Sequence, residues 1–66
     1  MPVNFSYDYE VLFDGEGTVE ERTRVFRNCR VDIEKRTILI VNRDTGEELH
    51  SCSRRDILKI NRLPAE

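Results

Sequence analysis

The residues of this sequence that could do covalent or metal chemistry are one histidine and two cysteines. His50 and Cys52 stand two positions apart, so an extended strand would place both side chains on one face. A catalytic thiolate also needs an electropositive, partly exposed cleft, and a chain of 66 residues has little room for one. A zinc site usually takes four ligands, and Cys29 is expected on the opposite face. The sequence therefore predicts no catalytic residue, metal, cofactor or small-molecule substrate, and a chain that is not an enzyme.

The cysteine content and the absence of an apolar segment indicate the compartment. Two cysteines are too few for a disulfide framework, so we predict buried, reduced thiols, with a single Cys29–Cys52 bridge as the alternative. No apolar run is long enough to span a membrane, and the amino terminus has neither the basic nor the apolar region of an export signal. We therefore expect a cytoplasmic protein that does not engage a membrane.

Basic residues are concentrated in the carboxy-terminal segment and at one predicted turn. Residues 54 to 62 hold a single acid, Asp56, among several bases, and Lys35 and Arg36 stand together earlier in the chain. If the two basic groups meet in space, they could bind the phosphates of RNA or DNA, or a carboxylate-rich partner. The alternative is a solvated face that deters aggregation, and the net charge of −2 favours neither. The candidate phosphate-binding residues are Arg54, Arg55, Lys59 and Arg62.

Two strands and a hairpin loop are predicted in the amino-terminal half. Residues 3 to 13 alternate apolar and polar side chains, as a half-buried strand does. The glycines of DGEGT suit a tight loop. A longer strand is predicted over residues 18 to 33, with a bulge where Phe26 and Arg27 reverse the expected polarity.

The charges of this half change sign abruptly, and cross-strand pairing offers an explanation. The first 21 residues hold six acids and no base, and Arg22 and Arg24 then follow. A five-residue loop would pair Phe13 with Val19 and so set acids opposite bases across the hairpin. The predicted outer-face pairs are Glu10 with Arg22 and Asp8 with Arg24, and the core-side pairs are Tyr9 with Thr23 and Tyr7 with Val25.

A second hairpin is predicted further along the chain. TILIV, residues 37 to 41, is a short strand that is apolar on both faces, and Gly46 suits the left-handed position of the following turn. Pairing Asn42 with Glu47 sets the register of the two strands. This register places Ile40 opposite Leu49, Ile38 opposite Ser51 and Leu39 opposite His50.

The last segment, residues 54 to 63, fits either a helix or a closing strand. Ser53 and Asp56 have the spacing of a capping box, and Leu58 and Ile60 alternate around Lys59 as in a strand. A single 3₁₀ turn that leads into a strand accommodates both patterns. Pro64 ends the element.

These elements predict an all-β domain over residues 1–66. We expect a small antiparallel meander of four to five strands, with one short helical turn near the carboxy terminus, forming an SH3-like or PH-like barrel or a curved sheet. A second apolar set then needs cover from barrel closure, from the last segment or from dimerisation. Its members are Leu12, Phe26, Leu39, Val41, His50 and Cys52.

Two functions are compatible with this pattern. The first is a non-enzymatic protein-interaction module, accessory subunit or inhibitor, whose partner is another protein or a second copy of the chain. Its candidate partner-binding residues are Phe26, Leu39, Val41 and His50. The second function is an RNA- or DNA-binding β-barrel that uses the basic carboxy-terminal segment, with Phe26 as the exposed aromatic residue beside Arg24 and Arg27.

Overall fold

The fold consists of β-strands in two antiparallel sheets, as seen in a computed structural model that describes residues 4–65. The all-β prediction is confirmed. Val3, where the first strand was expected to begin, lies outside the described residues. The strands are β1 (Phe5–Phe13), β2 (Thr23–Phe26), β3 (Cys29–Ile33), β4 (Thr37–Asn42), β5 (Glu48–Ser53) and β6 (Ile57–Pro64), with a short helix α1 (Val19–Arg22) and a 3₁₀ turn (Arg54–Asp56).

The two sheets have the strand orders β2-β1-β6 and β3-β4-β5, here called sheet A and sheet B. The last strand returns to pair with the first, with Val11 opposite Ile60, so the chain is not a simple meander. Within residues 4–65 the sheets do not close into a barrel. Of the two predicted architectures, the closed barrel is therefore wrong.

The long strand predicted over residues 18 to 33 is broken twice, and this prediction is wrong. Thr18 caps helix α1, since its hydroxyl oxygen accepts a hydrogen bond from the Glu21 N–H at 3.2 Å. Asn28 then adopts a positive φ of 48°, a conformation that interrupts a strand. The chain consequently leaves sheet A after Phe26 and enters sheet B at Cys29.

The helix also changes the register of the first hairpin. Tyr9 was predicted opposite Thr23 and instead lies opposite Phe26. Because α1 uses residues that were expected to pair, the hairpin closes further along the chain, and the predicted facings of Glu10 with Arg22 and Asp8 with Arg24 are wrong. The observed pairs include Glu10 opposite Val25, Val11 opposite Arg24 and Leu12 opposite Thr23.

The turn of the second hairpin is as predicted, but the pairing of its two strands beyond the turn differs from the prediction. The Asn42 N–H donates to the Glu47 carbonyl at 2.8 Å, and Gly46 has the expected positive φ of 75°. A bulge between Ile40 and Val41 then shifts the pairing by one residue. The observed partners are His50 for Ile40, Ser51 for Leu39 and Cys52 for Ile38, so the predicted pairs with Leu49, His50 and Ser51 are wrong.

The carboxy-terminal segment combines a turn and a strand, as predicted. The Ser53 hydroxyl oxygen accepts a hydrogen bond from the Arg55 N–H at 3.4 Å and caps the 3₁₀ turn. Strand β6 follows directly and completes sheet A. The turn therefore connects the edge of sheet B with the edge of sheet A.

The core lies between the two sheets and draws on both. Val11 and Ile40 have no exposed surface, and Phe26, Cys29 and Ile38 are buried beside them. The partly buried residues packed against this cluster are Tyr9, Phe13, Val31, Cys52, Ile57 and Ile60.

A carboxylate stabilises the junction between the sheets. Asp8 accepts a hydrogen bond from the Asn28 N–H at 2.9 Å and forms an ion pair with Arg27 at 3.1 Å. We predict that Asp8→Ala lowers the free energy of unfolding by about 1–3 kcal/mol, because the backbone donor loses its partner. Urea denaturation followed by circular dichroism measures the change.

Arg27→Ala is the matched control for this prediction. The Arg27 side chain is 74% exposed, so its removal is expected to cost under about 1 kcal/mol. An equal loss in both variants would mean that the ion pair, rather than the bond to the backbone, stabilises the junction.

Candidate functional site

Four basic side chains surround one open cleft at the end of sheet B. Lys35 and Arg36 come from the turn between β3 and β4, and Arg54 and Arg55 come from the 3₁₀ turn. Together with Ser53 they line a volume of about 730 Å³. We call this surface the cationic cleft. Phosphate binding was expected only if the two basic groups meet in space, and these four residues do meet.

Backbone pairing brings the two basic segments together. Thr37 and Ser53 are partners in sheet B, so the turn that precedes one strand lies beside the turn that follows the other. The Arg54 N–H donates to the Arg36 carbonyl at 3.0 Å, and the Arg54 guanidinium donates to the Lys35 carbonyl at 3.4 Å. The backbone of the cationic cleft is thus fixed, while its side chains stay exposed.

The cationic cleft is lined by four cationic side chains, and the acids next to them in the chain are Glu34 and Asp56. Its lining contains no acid, and within residues 4–65 the salt bridges join Arg27 to Asp8 and Arg30 to Asp32, both away from the cleft. Like charges held close together repel one another, so the cluster is a favourable place for an anion.

An acidic loop borders the same end of the molecule. The Asp14 N–H donates to the Asp56 carbonyl at 2.8 Å, which places the start of the loop after β1 beside the 3₁₀ turn. Residues 14 to 21 contain four acids and no base. A polyanion in the cationic cleft is therefore repelled on the side of this loop and favoured on the side of Lys35 and Arg36.

The other two candidate phosphate-binding residues lie elsewhere. Lys59 is opposite Leu12 and lines a small pocket of about 110 Å³ with Glu10 on the outer face of sheet A. Arg62 lies near the far end of β6, where its Nε donates to the Ser6 carbonyl at 2.6 Å. The structure does not bring these two side chains into the cationic cleft.

Arg62 instead belongs to a cluster of aromatic and basic side chains that we call the aromatic patch. Its guanidinium carbon lies 4.7 Å from the ring centre of Tyr7 and 6.0 Å from that of Phe5. The corresponding carbon of Arg43 lies 3.4 Å from the Tyr7 ring centre. Phe5 and Tyr7 are 53% and 46% exposed. The aromatic patch consists of Phe5, Tyr7, Arg43 and Arg62.

The sequence pattern did not reveal the aromatic patch. Phe5 and Tyr7 follow the same alternation as Tyr9 and were predicted to face the core, which is wrong. Strand β2 pairs with β1 only from Tyr9 onward, so the start of β1 extends past the buried part of sheet A. The alternation of side chains carries no signal of where the partner strand ends.

The four candidate partner-binding residues do not form one surface. Phe26 was predicted to be exposed but is only 6% exposed, and its ring lies 5.8 Å from the half-buried ring of His50. Phe26 is turned inward because the register sets it opposite Tyr9. Leu39 and Val41 pair with Asp32 and Arg30 in sheet B, and Val41 is buried, at only 4% exposed.

The two thiols are not joined by a disulfide; Cys29 is buried in the core and the half-buried Cys52 packs against it. The expectation that Cys29 points away from Cys52 is wrong, because both pack in the same cluster. Burial raises the pKa of the Cys29 thiol, the Asp8 carboxylate raises it further, and a hydrogen bond with the Tyr9 backbone opposes the rise. Burial and then Asp56 raise the pKa of Cys52. At neutral pH both thiols are therefore protonated and poor nucleophiles.

Among residues 4–65, no group of three or more histidine, cysteine or acidic side chains is arranged to hold a metal ion. The helical segments described here are too short to cross a membrane. No protein family, curated protein or solved structure matches the chain.

Proposed function

We propose that this chain is a non-enzymatic binding module whose ligand is nucleic acid, RNA or DNA, bound by its phosphates in the cationic cleft. One observation carries the proposal: Lys35 and Arg36 meet Arg54 and Arg55 around a single cleft whose lining contains no acid. Of the two functions compatible with the sequence, this geometry favours nucleic-acid binding over protein binding.

The chemistry of the four side chains suits phosphate better than a single carboxylate. A guanidinium presents a planar set of N–H donors that matches two phosphate oxygens, and an ammonium adds a flexible point charge. Cations from two separate turns can contact successive phosphates along one backbone. Phosphate contacts of this kind position a nucleic acid and carry no sequence information, so we expect binding with little sequence preference.

The proposed function predicts a steep dependence of affinity on salt. If the four cations each neutralise one phosphate, the logarithm of the association constant falls with the logarithm of salt concentration with a slope of about −3. Affinity is then roughly 50-fold weaker at about 200 mM than at about 50 mM salt. Fluorescence anisotropy of a labelled oligonucleotide, titrated with the protein at several salt concentrations, measures the slope.

The response to salt also separates the two candidate functions. Absence of binding at low salt would contradict the proposed function. Binding with a slope near zero would contradict phosphate contacts and would point instead to apolar recognition. A bovine albumin titration under the same conditions controls for non-specific effects of an acidic protein on the anisotropy of the label.

The second candidate function is binding of a protein partner through sheet B. The observation in its favour is that Leu39 lies on the outer face of this sheet, while β5 is an edge strand that carries the 40% exposed Leu49. Another chain could add a strand to this edge and cover both leucines. The partner could be a different protein, for which this chain would be an accessory subunit or inhibitor, or a second copy.

A cytoplasmic location and a single domain over residues 1–66 stay predictions that accompany the proposed function. The cytoplasm supplies RNA at high concentration and keeps thiols reduced. Fractionation of cells that express the chain, followed by immunoblotting, locates the protein.

A further inference from the structure

We propose that the aromatic patch is a base-stacking site, and that the nucleic acid bound by this chain is single-stranded. The inference rests on the proposed function of the cationic cleft and names the class of nucleic acid. Its starting point is that Phe5 and Tyr7, two aromatic rings that are about half exposed, lie together beside two guanidinium groups.

The composition of the aromatic patch matches what an unpaired nucleotide requires. Exposed aromatic rings stack on bases, and arginine side chains contact the adjoining phosphates or stack in turn. Arg43 and Arg62 form no salt bridge with any acid in residues 4–65, and of the Arg62 guanidinium it is the Nε that donates to the Ser6 carbonyl. A lone exposed ring is ordinary on a protein surface, but here two rings lie beside two arginines.

Phe5 is the ring with the more open face. The Arg43 guanidinium carbon lies 3.4 Å from the centre of the Tyr7 ring and so covers it closely. Phe5, in contrast, is approached by Arg62 only to 6.0 Å and is 53% exposed. A base that stacks on Phe5 would extend the stack that Tyr7 and its arginines already form.

The spacing between the two sites favours a flexible strand. Arg36 precedes β4 and Arg43 follows it, and the strand runs from Thr37 to Asn42, so the cationic cleft and the aromatic patch are separated by about 20 Å along its axis. An extended single strand of a few nucleotides can cover this distance, within the usual site size of small nucleic-acid-binding β domains. A duplex keeps its bases paired and cannot stack them on the patch.

Selective loss of single-stranded binding is the test. The protein is titrated into a labelled oligonucleotide of about 12 nucleotides, and into the same strand annealed to its complement. The variant is Phe5→Leu with Tyr7→Leu, which removes both aromatic rings and keeps apolar side chains. Leu58→Ala, which trims another exposed apolar residue of β6, is the control.

We expect the double leucine variant to bind the single strand about tenfold more weakly, because base stacking is lost. Binding to the duplex should change less than twofold, and the slope with salt should be unchanged, since phosphate contacts remain. Equal weakening for both oligonucleotides, or no weakening for either, would overturn the stacking site. If neither oligonucleotide binds more weakly, the dependence of wild-type binding on salt would still support phosphate binding in the cationic cleft.

A measurement on the unmodified chain removes any dependence on the variant's stability. In a nuclear magnetic resonance titration with the single strand, the Phe5 ring protons should shift upfield, as protons above a base do. Unchanged Phe5 signals under conditions where the strand is bound would contradict stacking. Displacement of the strand by an equal charge of polyglutamate would show general anion binding and would also overturn the assignment to single-stranded nucleic acid.

Discussion

Reversing the two arginines of the 3₁₀ turn, Arg54→Glu with Arg55→Glu, is expected to weaken nucleic-acid binding by at least about 100-fold at low salt. Each arginine supplies a charge-assisted hydrogen bond to phosphate, worth about 1.5–3 kcal/mol, and the new carboxylates repel the backbone. The slope with salt should become shallower by about 1.5, because the two phosphate contacts of Arg54 and Arg55 are lost. Anisotropy titrations at several salt concentrations measure both quantities.

A charge-matched control separates a local site from the general field of the molecule. Arg24→Glu with Lys59→Glu makes the same change in net charge on sheet A, away from the cationic cleft. When both double variants are compared at about 0.1 M salt, where exposed charges more than about 10 Å apart are largely screened, we expect this variant to bind within about threefold of the wild type. Equal losses in both double variants would show that net charge, and not the cationic cleft, governs binding.

Ile40→Ala is expected to remove most of the free energy of unfolding. Ile40 has no exposed surface and lies in the central strand of sheet B, between Val31 and His50. Truncation of a buried isoleucine to alanine costs about 2–5 kcal/mol. A core of this size rarely supplies more than about 3–5 kcal/mol in total, so the substitution removes most of the margin.

Ile33→Ala makes the same chemical change at an exposed position. Ile33 is 61% exposed in the neighbouring strand β3, so its truncation should cost under about 1 kcal/mol. Urea denaturation of the two variants gives the comparison. Similar losses at Ile40 and Ile33 would contradict the placement of the core between the two sheets.

The sequence predicted local features of this fold well. The alternation before the first loop and the capping serine before the 3₁₀ turn each depend on neighbouring residues alone, and the structure contains strand β1 and the turn after Ser53. The hairpin turn at Gly46 depends on a backbone conformation that glycine adopts readily. These features are encoded within a few residues, so no knowledge of tertiary contacts is needed to find them.

Long-range register was predicted poorly, for identifiable reasons. A helix of four residues is too short to show its own periodicity, so the alternation around Val19 looked like a strand, although Thr18 and Glu21 have the spacing of a capping box. TILIV is apolar on both faces and therefore does not fix its own register. The bulge after Ile40 has no counterpart in the local pattern of apolar and polar residues.

The sequence predicted the candidate sites only in part. The errors in their positions also come from the wrong strand register. The meeting of the two basic turns depends on which ends of β4 and β5 are joined, and the hairpin at Gly46 determines that. The positions of Phe26, Phe5 and Tyr7 depend on the register of β1 with β2, which was wrong. The exposed aromatic residues are consequently at the start of β1, and Phe26 is buried.

The most direct test of the cationic cleft is a map of which backbone amides respond to nucleic acid. In a titration of the isotope-labelled protein with a short oligonucleotide, followed by proton–nitrogen correlation spectra, the largest shift changes should fall on Lys35, Arg36 and residues 53 to 55. Raising the salt concentration should reverse them. Changes centred on the outer face of sheet B, around Leu39 and Leu49, with the turn residues unaffected, would contradict phosphate binding in the cationic cleft.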